Sequence, residues 1–304
     1  MLKKNLGWLT LFLLLFIFIA LGSSIKHHYH NKLVSMDERL TEVSGIEFDK
    51  KGKLWAINDG GDKPNLYRVE ADGKISKTVL ITNAKNIDWE DMTQDDFGHF
   101  FLGDFGNNDN KRKWLTIYKI ENPIDIKGDS TSAEIIKFMY PEQNSYPPKE
   151  HQKKYDLEAF VFYKKKLYLF TKNRSVPFDG ETNLYRIGAY AANHQATKLS
   201  SFTTCTHHEK LCWITSAALS PNKKKLVLLD SQRLWLFENW QGDDFFSGDA
   251  FEINLGTITQ KESVTFFDDN TVVYTDEEFM GIGRNAYLIK LDQQRKIPVY
   301  SLQE

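Results

Sequence analysis

The feature that most constrains this chain is a hairpin repeated five times. In each repeat a Ser or Glu opens a short apolar strand, and a charged residue closes the strand that follows. The openers are Ser44, Glu90, Glu158, Ser216 and Glu262, and the closers are Asp59, Asp104, Lys172, Asp230 and Asp276. The closer lies 15 residues after its opener in the first repeat and 14 in the other four, while the openers are 46, 68, 58 and 46 residues apart. A near-constant internal offset joined by variable loops is the mark of a radial repeat. Four short strands can be cut from each unit, bounded by turn sequences such as Asp-Lys-Lys-Gly and Asp-Asp-Phe-Gly. Five units use the chain up, which predicts an all-β propeller of five four-stranded blades. A sixth blade stays open as an alternative if the stretch 122–155 hides one.

The aromatic share of 13% favours strands, and 41% hydrophobic residues supply a core. We therefore expect one propeller domain over residues 40–304, ending in a strand at 297–302 that completes the fifth blade. A net charge of −2 offers no basic field for nucleic acid.

Residues 1–22 are a separate object. Lys3 and Lys4 precede an apolar run over 6–21, as in a signal peptide or a membrane anchor. Residues 23–39, with His27, His28 and His30, read as a polar tether. Either reading of the start predicts an extracytoplasmic domain, membrane-anchored or secreted, and periplasmic if the cell is bacterial. Cys205 and Cys212 are the two cysteines of the chain. Export makes a disulfide between them the first expectation, with a zinc site including His207 and His208 as the alternative.

In a propeller the first strand of each blade lines the central channel, so the openers converge at one mouth and the closers surround them. Asp88 and Asp156 add carboxylates in Asp-Trp-Glu and Asp-Leu-Glu. Two carboxylates at ~5 Å repel by roughly 3 kcal/mol at an effective dielectric of about 20. Such a cluster takes up protons or a cation, and an all-oxygen ligand set selects Ca2+, then Mg2+ or Mn2+.

The segments Glu-Val-Ser-Gly-Ile, Asp-Trp-Glu-Asp-Met, Asp-Leu-Glu-Ala-Phe, Ile-Thr-Ser-Ala-Ala and Lys-Glu-Ser-Val-Thr resemble the inner strands of the calcium-activated nucleotidase (apyrase) family. The resemblance implies a five-bladed propeller holding calcium on its axis through Ser44, Glu90, Glu158, Ser216 and Glu262. It also implies hydrolysis of nucleoside di- and triphosphates, with Asn58-Asp59 beside the substrate. The family's Asp-Leu-Asp segment ahead of the first blade and its Arg after the first acidic pair have no counterpart here. The same Asp-x-Glu openings resemble esterase-like phytase and SdiA-regulated propellers.

Lys172 is the one basic closer, and Arg174 follows it, so the pair is suited to phosphate or another anion. The expected catalytic set is Asp59, Asp104, Lys172 and Arg174, with the two acids positioning water. The expected ligand is a small anionic substrate bound by a monomeric domain. The competing expectation is a non-catalytic, calcium-stabilised propeller that binds a surface or protein partner.

Overall fold

The computed structural model describes residues 32–206 and 208–299. The expected signal or anchor, most of the tether, His207 of the zinc alternative and the chain's last five residues lie outside them. Among the described residues no helix is long and apolar enough to cross a membrane.

The described residues begin with β1 (Lys32–Ser35) and then build the blades in order. Blade 1 holds β2 (Val43–Phe48), β3 (Leu54–Asn58), β4 (Asn65–Val69) and β5 (Ile75–Ile81). Blade 2 holds β6 (Trp89–Gln94), β7 (Phe100–Asp104) and β8 (Leu115–Ile120), then the short β9 (Ser130–Thr131) leads to β10 (Glu134–Met139). Blade 3 holds β11 (Asp156–Tyr163), β12 (Lys166–Lys172), β13 (Glu181–Gly188), a short β14 (Asn193–Gln195) and β15 (Thr197–Thr203). Blade 4 holds β16 (Ser216–Leu219), β17 (Lys225–Leu229), β18 (Arg233–Glu238) and β19 (Asp249–Asn254). Blade 5 holds β20 (Lys261–Phe266), β21 (Thr271–Asp276) and β22 (Asn285–Lys290), and β23 (Ile297–Val299) follows it.

Each blade is an antiparallel sheet in chain order, so the fold is the five-bladed propeller that the repeat predicts. The inner hairpin turns are fixed locally. Asp49 and Asp95 each accept two backbone amides across their turns, and Asp268 does the same in blade 5.

The core is divided among the blade interfaces. Phe101 and Leu167 belong to a cluster between blades 2 and 3, and Leu236 and Val272 to one between blades 4 and 5. Trp55 packs with Leu102 between blades 1 and 2, while Val43 packs with Val273 where blade 5 meets blade 1. Inner strands such as β7, β12 and β17 are therefore buried almost throughout, because each sheet is covered by its two neighbours, while outer strands such as β10 and β15 are partly exposed.

Three strands cross blade boundaries. β9 leaves blade 2 to run parallel to β5, β14 leaves blade 3 to run parallel to β10, and β23 pairs with β19 of blade 4. The stretch 122–155 thus contributes an edge strand to blade 1 and β10 to blade 2, and no sixth blade. Two expectations are corrected here. Ile297–Val299 does not complete blade 5, and residues 32–35 are not tether. Lys32–Ser35 takes the outer edge of blade 5, with Lys32 opposite Tyr287 and Ser35 opposite Asn285. The physical reason is ring closure: a strand that precedes blade 1 in sequence adds backbone hydrogen bonds to blade 5, tying together two blades that side-chain packing alone would otherwise hold. Four residues are too few to announce a strand by their pattern.

Candidate metal centre at the propeller mouth

Pairing between the first two strands of each blade slips at the opener. Val43 faces Asn58 and Gly45 faces Ile57, leaving Ser44 unpaired. Glu90, Glu158 and Glu262 are skipped in the same way in blades 2, 3 and 5. In blade 4 the amide of Thr215 bonds to Leu229 O at 2.9 Å, and Ser216 also faces Leu229. The openers are therefore bulge residues. An extra residue at this point re-aims its side chain out of the alternation of the strand, which is how a polar side chain stands inside an apolar sheet.

The bulges also sort the closers into two sets. The residue before each opener pairs with Asn58, Asp104, Thr171 and Asp276 in blades 1, 2, 3 and 5. One position further on stand Asp59, Phe105, Lys172 and Glu277. A one-residue step reverses the face of a strand, so Asp104 and Asp276 do not share the face of Asp59 and Lys172. Asp276 accepts the Asn285 amide at 2.9 Å and the Tyr287 hydroxyl at 2.8 Å. Asp104 accepts the Asp88 amide at 3.0 Å and Arg112 Nη2 at 3.2 Å, and burial raises its carboxyl above the ordinary range. Asp230 caps its own turn through the Gln232 and Arg233 amides and Trp235 Nε1. Glu277, which the constant offset of 14 passes over, is 15 residues after Glu262, as Asp59 is after Ser44. Burial, Glu262 and Asp59 push its carboxyl up to about 9.

Asp59, Asp88 and Glu90 come together, one carboxylate oxygen of each lying within 4.8 Å of the others. Gly106 makes the space: a Cβ there would sit 2.1 Å from Glu90 Oε1 and 2.4 Å from Asp88 Oδ2. Asp59 Oδ1 accepts the Gly60 amide. Glu90 is 7% exposed and has no hydrogen-bond partner among the described residues. Burial and the neighbouring acids raise all three carboxyls, Asp59 to about 7.

Lys172 and Arg174 stand beside this triad. Lys172 Nζ is 2.8 Å from Glu158 Oε2. Arg174 Nε is 2.7 Å from Asp156 Oδ2, and its Nη2 reaches Glu158 at 3.4 Å and Asn108. Both cations lie over the ring of Trp213, at 5.4 Å for Lys172 Nζ and 4.2 Å for the Arg174 guanidinium carbon. Trp213 directly follows the Cys205–Cys212 disulfide, and its Nε1 donates to Asn173 O at 2.5 Å. The disulfide thus ties down the loop that presents this ring. The sequence offered no spacing signal for Trp213, since it lies outside the repeat.

The five expected calcium ligands take different roles. Glu90 has no hydrogen-bond partner among the described residues, and Glu158 is ion-paired with Lys172. Glu262 is raised by burial and lowered by Lys172 and Arg174. Ser44 Oγ is fully buried without a hydrogen-bond partner. Ser216 Oγ donates to Asp91 Oδ1 at 3.1 Å and accepts the Val264 amide at 3.1 Å. Asp91 itself is fully buried and accepts the amides of Phe160 and Ala217 at 3.1 and 3.3 Å. It joins blades 2, 3 and 4 below the mouth, a role the sequence reading missed because Asp91 is merely the residue after an opener.

The donor set fits a hard cation at Asp59, Asp88 and Glu90, where three carboxyls whose ionisation is suppressed meet and Glu90 has no hydrogen-bond partner among the described residues. Asp59, Asp88, Glu90, Asp156, Glu158, Glu262 and Glu277 act on one another here, with Lys172 and Arg174 as opposing charges. Arg112 also acts on Asp88, and Glu42 and Asp104 add to the acids, so among the described residues the carboxylates outnumber the cations, and protons or a metal ion must hold the excess.

No family model matches the chain, and no curated protein matches it. Among solved structures, several are similar over most of this chain. A gluconolactonase from Xanthomonas campestris is similar at 10% identity and a TM-score of 0.46, over 82% of this chain and 71% of that one. The PQQ-bound aldose sugar dehydrogenase of Streptomyces coelicolor is similar at 10% identity and a TM-score of 0.46, over 85% and 96%. A virginiamycin B lyase from Staphylococcus aureus has 13% identity and a TM-score of 0.40, over 82% of this chain, which spans 65% of the lyase. The five-bladed fold itself rests on the strand pairing of this chain. The nucleotidase resemblance rests on the repeat residues.

Proposed function

We propose that this chain is an extracytoplasmic propeller that binds calcium at its acidic mouth and hydrolyses a small anionic substrate, a phosphoanhydride by resemblance. The observation that carries the reading is the electrostatic coupling of two opposite features through Glu90: the triad of Asp59, Asp88 and Glu90, and the Lys172–Arg174 pair held on Trp213. The disulfide supports an oxidising compartment. Asp59, Asp88 and Glu90 would hold the ion, which when bound supplies Lewis-acid polarisation of a phosphoryl oxygen. Arg174 commits Nε and Nη2 to Asp156, Asn108 and Glu158, leaving Nη1 to take a substrate oxygen. Lys172, kept protonated by Glu158 and Glu262, adds positive charge beside it.

The test is a panel of nucleoside di- and triphosphates assayed for phosphate release in calcium and in chelator. Release should require calcium and should disappear in Glu90→Gln. A second reading, a non-catalytic cation-stabilised binding module, draws on the existing ion pairs of Lys172 and Arg174 with Glu158 and Asp156. Calcium binding without release from any nucleotide would favour it.

A further inference from the structure

Beside the acidic mouth lies a cleft of about 660 Å3 with a largely apolar lining. Its walls carry Leu211, Ile258, Phe279, Met280 and Ile282, and Glu277 belongs both to this cleft and to the mouth. Ile258, Phe279, Met280 and Ile282 are 60%, 59%, 87% and 67% exposed. Four large apolar side chains exposed together are unusual on a soluble surface and mark a place that another molecule covers.

The walls are built rather than loose. Phe279 and Ile282 exchange backbone hydrogen bonds of 2.8 and 3.0 Å around a tight turn. Met280 at φ 53 and Gly281 at φ 78 occupy its centre, which holds Met280 at the tip in a conformation that bulky residues rarely adopt. Arg284 Nε pairs with Glu278 at 3.1 Å below the turn, and the Glu278 amide bonds to Thr41 O at 2.9 Å. On the opposite wall the buried Lys261 ammonium donates to Thr257 O at 2.7 Å, Ser231 O at 2.9 Å and Thr259 Oγ1 at 3.1 Å, fixing the loop that carries Ile258. Leu211 comes from the short helix inside the disulfide. A loop that only needed to connect strands would not hold its apolar side chains in solvent with this many polar ties.

We propose that this cleft is the subsite for the apolar part of the substrate, so that the ligand of the mouth is an anionic amphiphile: a phosphate or phosphoanhydride bearing an acyl or aryl group. The assignment rests on the mouth reading above, since it places the anionic end among the cation, Lys172 and Arg174. A shared residue decides the occupant. Glu277 lines the cleft and interacts with Glu262 and Asp59 of the mouth, and exposed Lys210 also lines the cleft, so one molecule that fills the cleft ends beside the mouth.

The experiment measures binding of a series of alkyl phosphates, ethyl to dodecyl and below their micelle concentrations, to the chain as recovered from cells, with calcium present. Affinity should rise about three- to fourfold per added methylene until the cleft is filled. The surface substitutions Met280→Ser and Ile282→Ser should flatten that rise while leaving ethyl phosphate binding and the calcium-induced rise in Tm unchanged. If calcium and ethyl phosphate bind but affinity ignores chain length, the cleft assignment is wrong and the mouth reading stands. If chain length matters without calcium binding, the mouth reading fails and the cleft survives. If no alkyl phosphate binds, both fail. Equal attraction to neutral phosphatidylcholine vesicles, or a dimer lost in the same variants, would overturn the proposal in favour of a bilayer or a second copy.

Discussion

Removing the cation should make the stability of this propeller depend on pH in a direction opposite to that of most carboxylate-rich proteins. Asp59 is pushed from 3.8 to about 7, chiefly by burial and then by Asp88 and Glu262. At 1.36 kcal/mol per pH unit this sets about 4 kcal/mol against the ionised form, and its partial exposure to solvent reduces the figure to about 2 kcal/mol. The folded-state value lies above the unfolded one. The stabilisation it contributes is complete below pH ~4 and is lost as pH rises through about 7. Glu277, pushed up to about 9, extends the loss beyond pH 8. In chelator, Tm should therefore fall by roughly 4–8 °C between pH 5.5 and 8.5, at ~2–4 °C per kcal/mol for a domain of this size. Calcium at a hundred times its Kd should restore about 2.7 kcal/mol. That gain should shrink as pH drops, because protons and the ion compete for the same oxygens. Asp59→Asn keeps the acceptor for the Gly60 amide and should remove much of the slope. The measurement is differential scanning fluorimetry over that pH range, with calcium and with chelator. A flat profile in chelator together with no calcium shift would refute the reasoning.

Asp91→Ala strands the Phe160 and Ala217 amides and the Ser216 hydroxyl in the channel, so it should cost about 3 kcal/mol and lower Tm by roughly 6–12 °C; a change below 1 °C in calorimetry would deny Asp91 its bridging role. Replacing Cys205 and Cys212 together by Ser should cost about 2–3 kcal/mol from the short loop they close, and intact mass without reductant should place the native chain two hydrogens below the reduced one. Lys172→Ala or Arg174→Ala should slow calcium-dependent phosphate release about 30- to 1000-fold, and release that survives both would assign catalysis elsewhere. Trp213→Ala should weaken the same activity by about tenfold through the loss of its contacts with both cations, and an unchanged kcat/KM would leave the ring without a part in it.

The propeller was legible because its cause is local. Apolar strands of four to eight residues, Asp-centred turns and a recurring opener repeat five times, and each repeat can be read without knowing where the others go. The meeting of Glu90 with Asp88 follows from the same regularity. What lay beyond the sequence was everything set by a bulge or by contact between distant segments. A constant offset of 14 made Asp104 and Asp276 look like partners of Asp59. The extra residue at each opener shifts the count by one and turns those two into the sheet, while Glu277 takes the mouth position. Lys172 was readable as the odd charge among the closers. Its engagement with Glu158, and the Trp213 ring beneath it, depend on a disulfide loop outside the repeat. Lys32–Ser35 closing blade 5, and Asp91 joining three blades, are likewise products of the closed ring. Strand and turn propensities act over a few residues and are written in order along the chain, whereas ring closure brings together groups that are 250 residues apart in sequence, as Ser35 and Asn285 show.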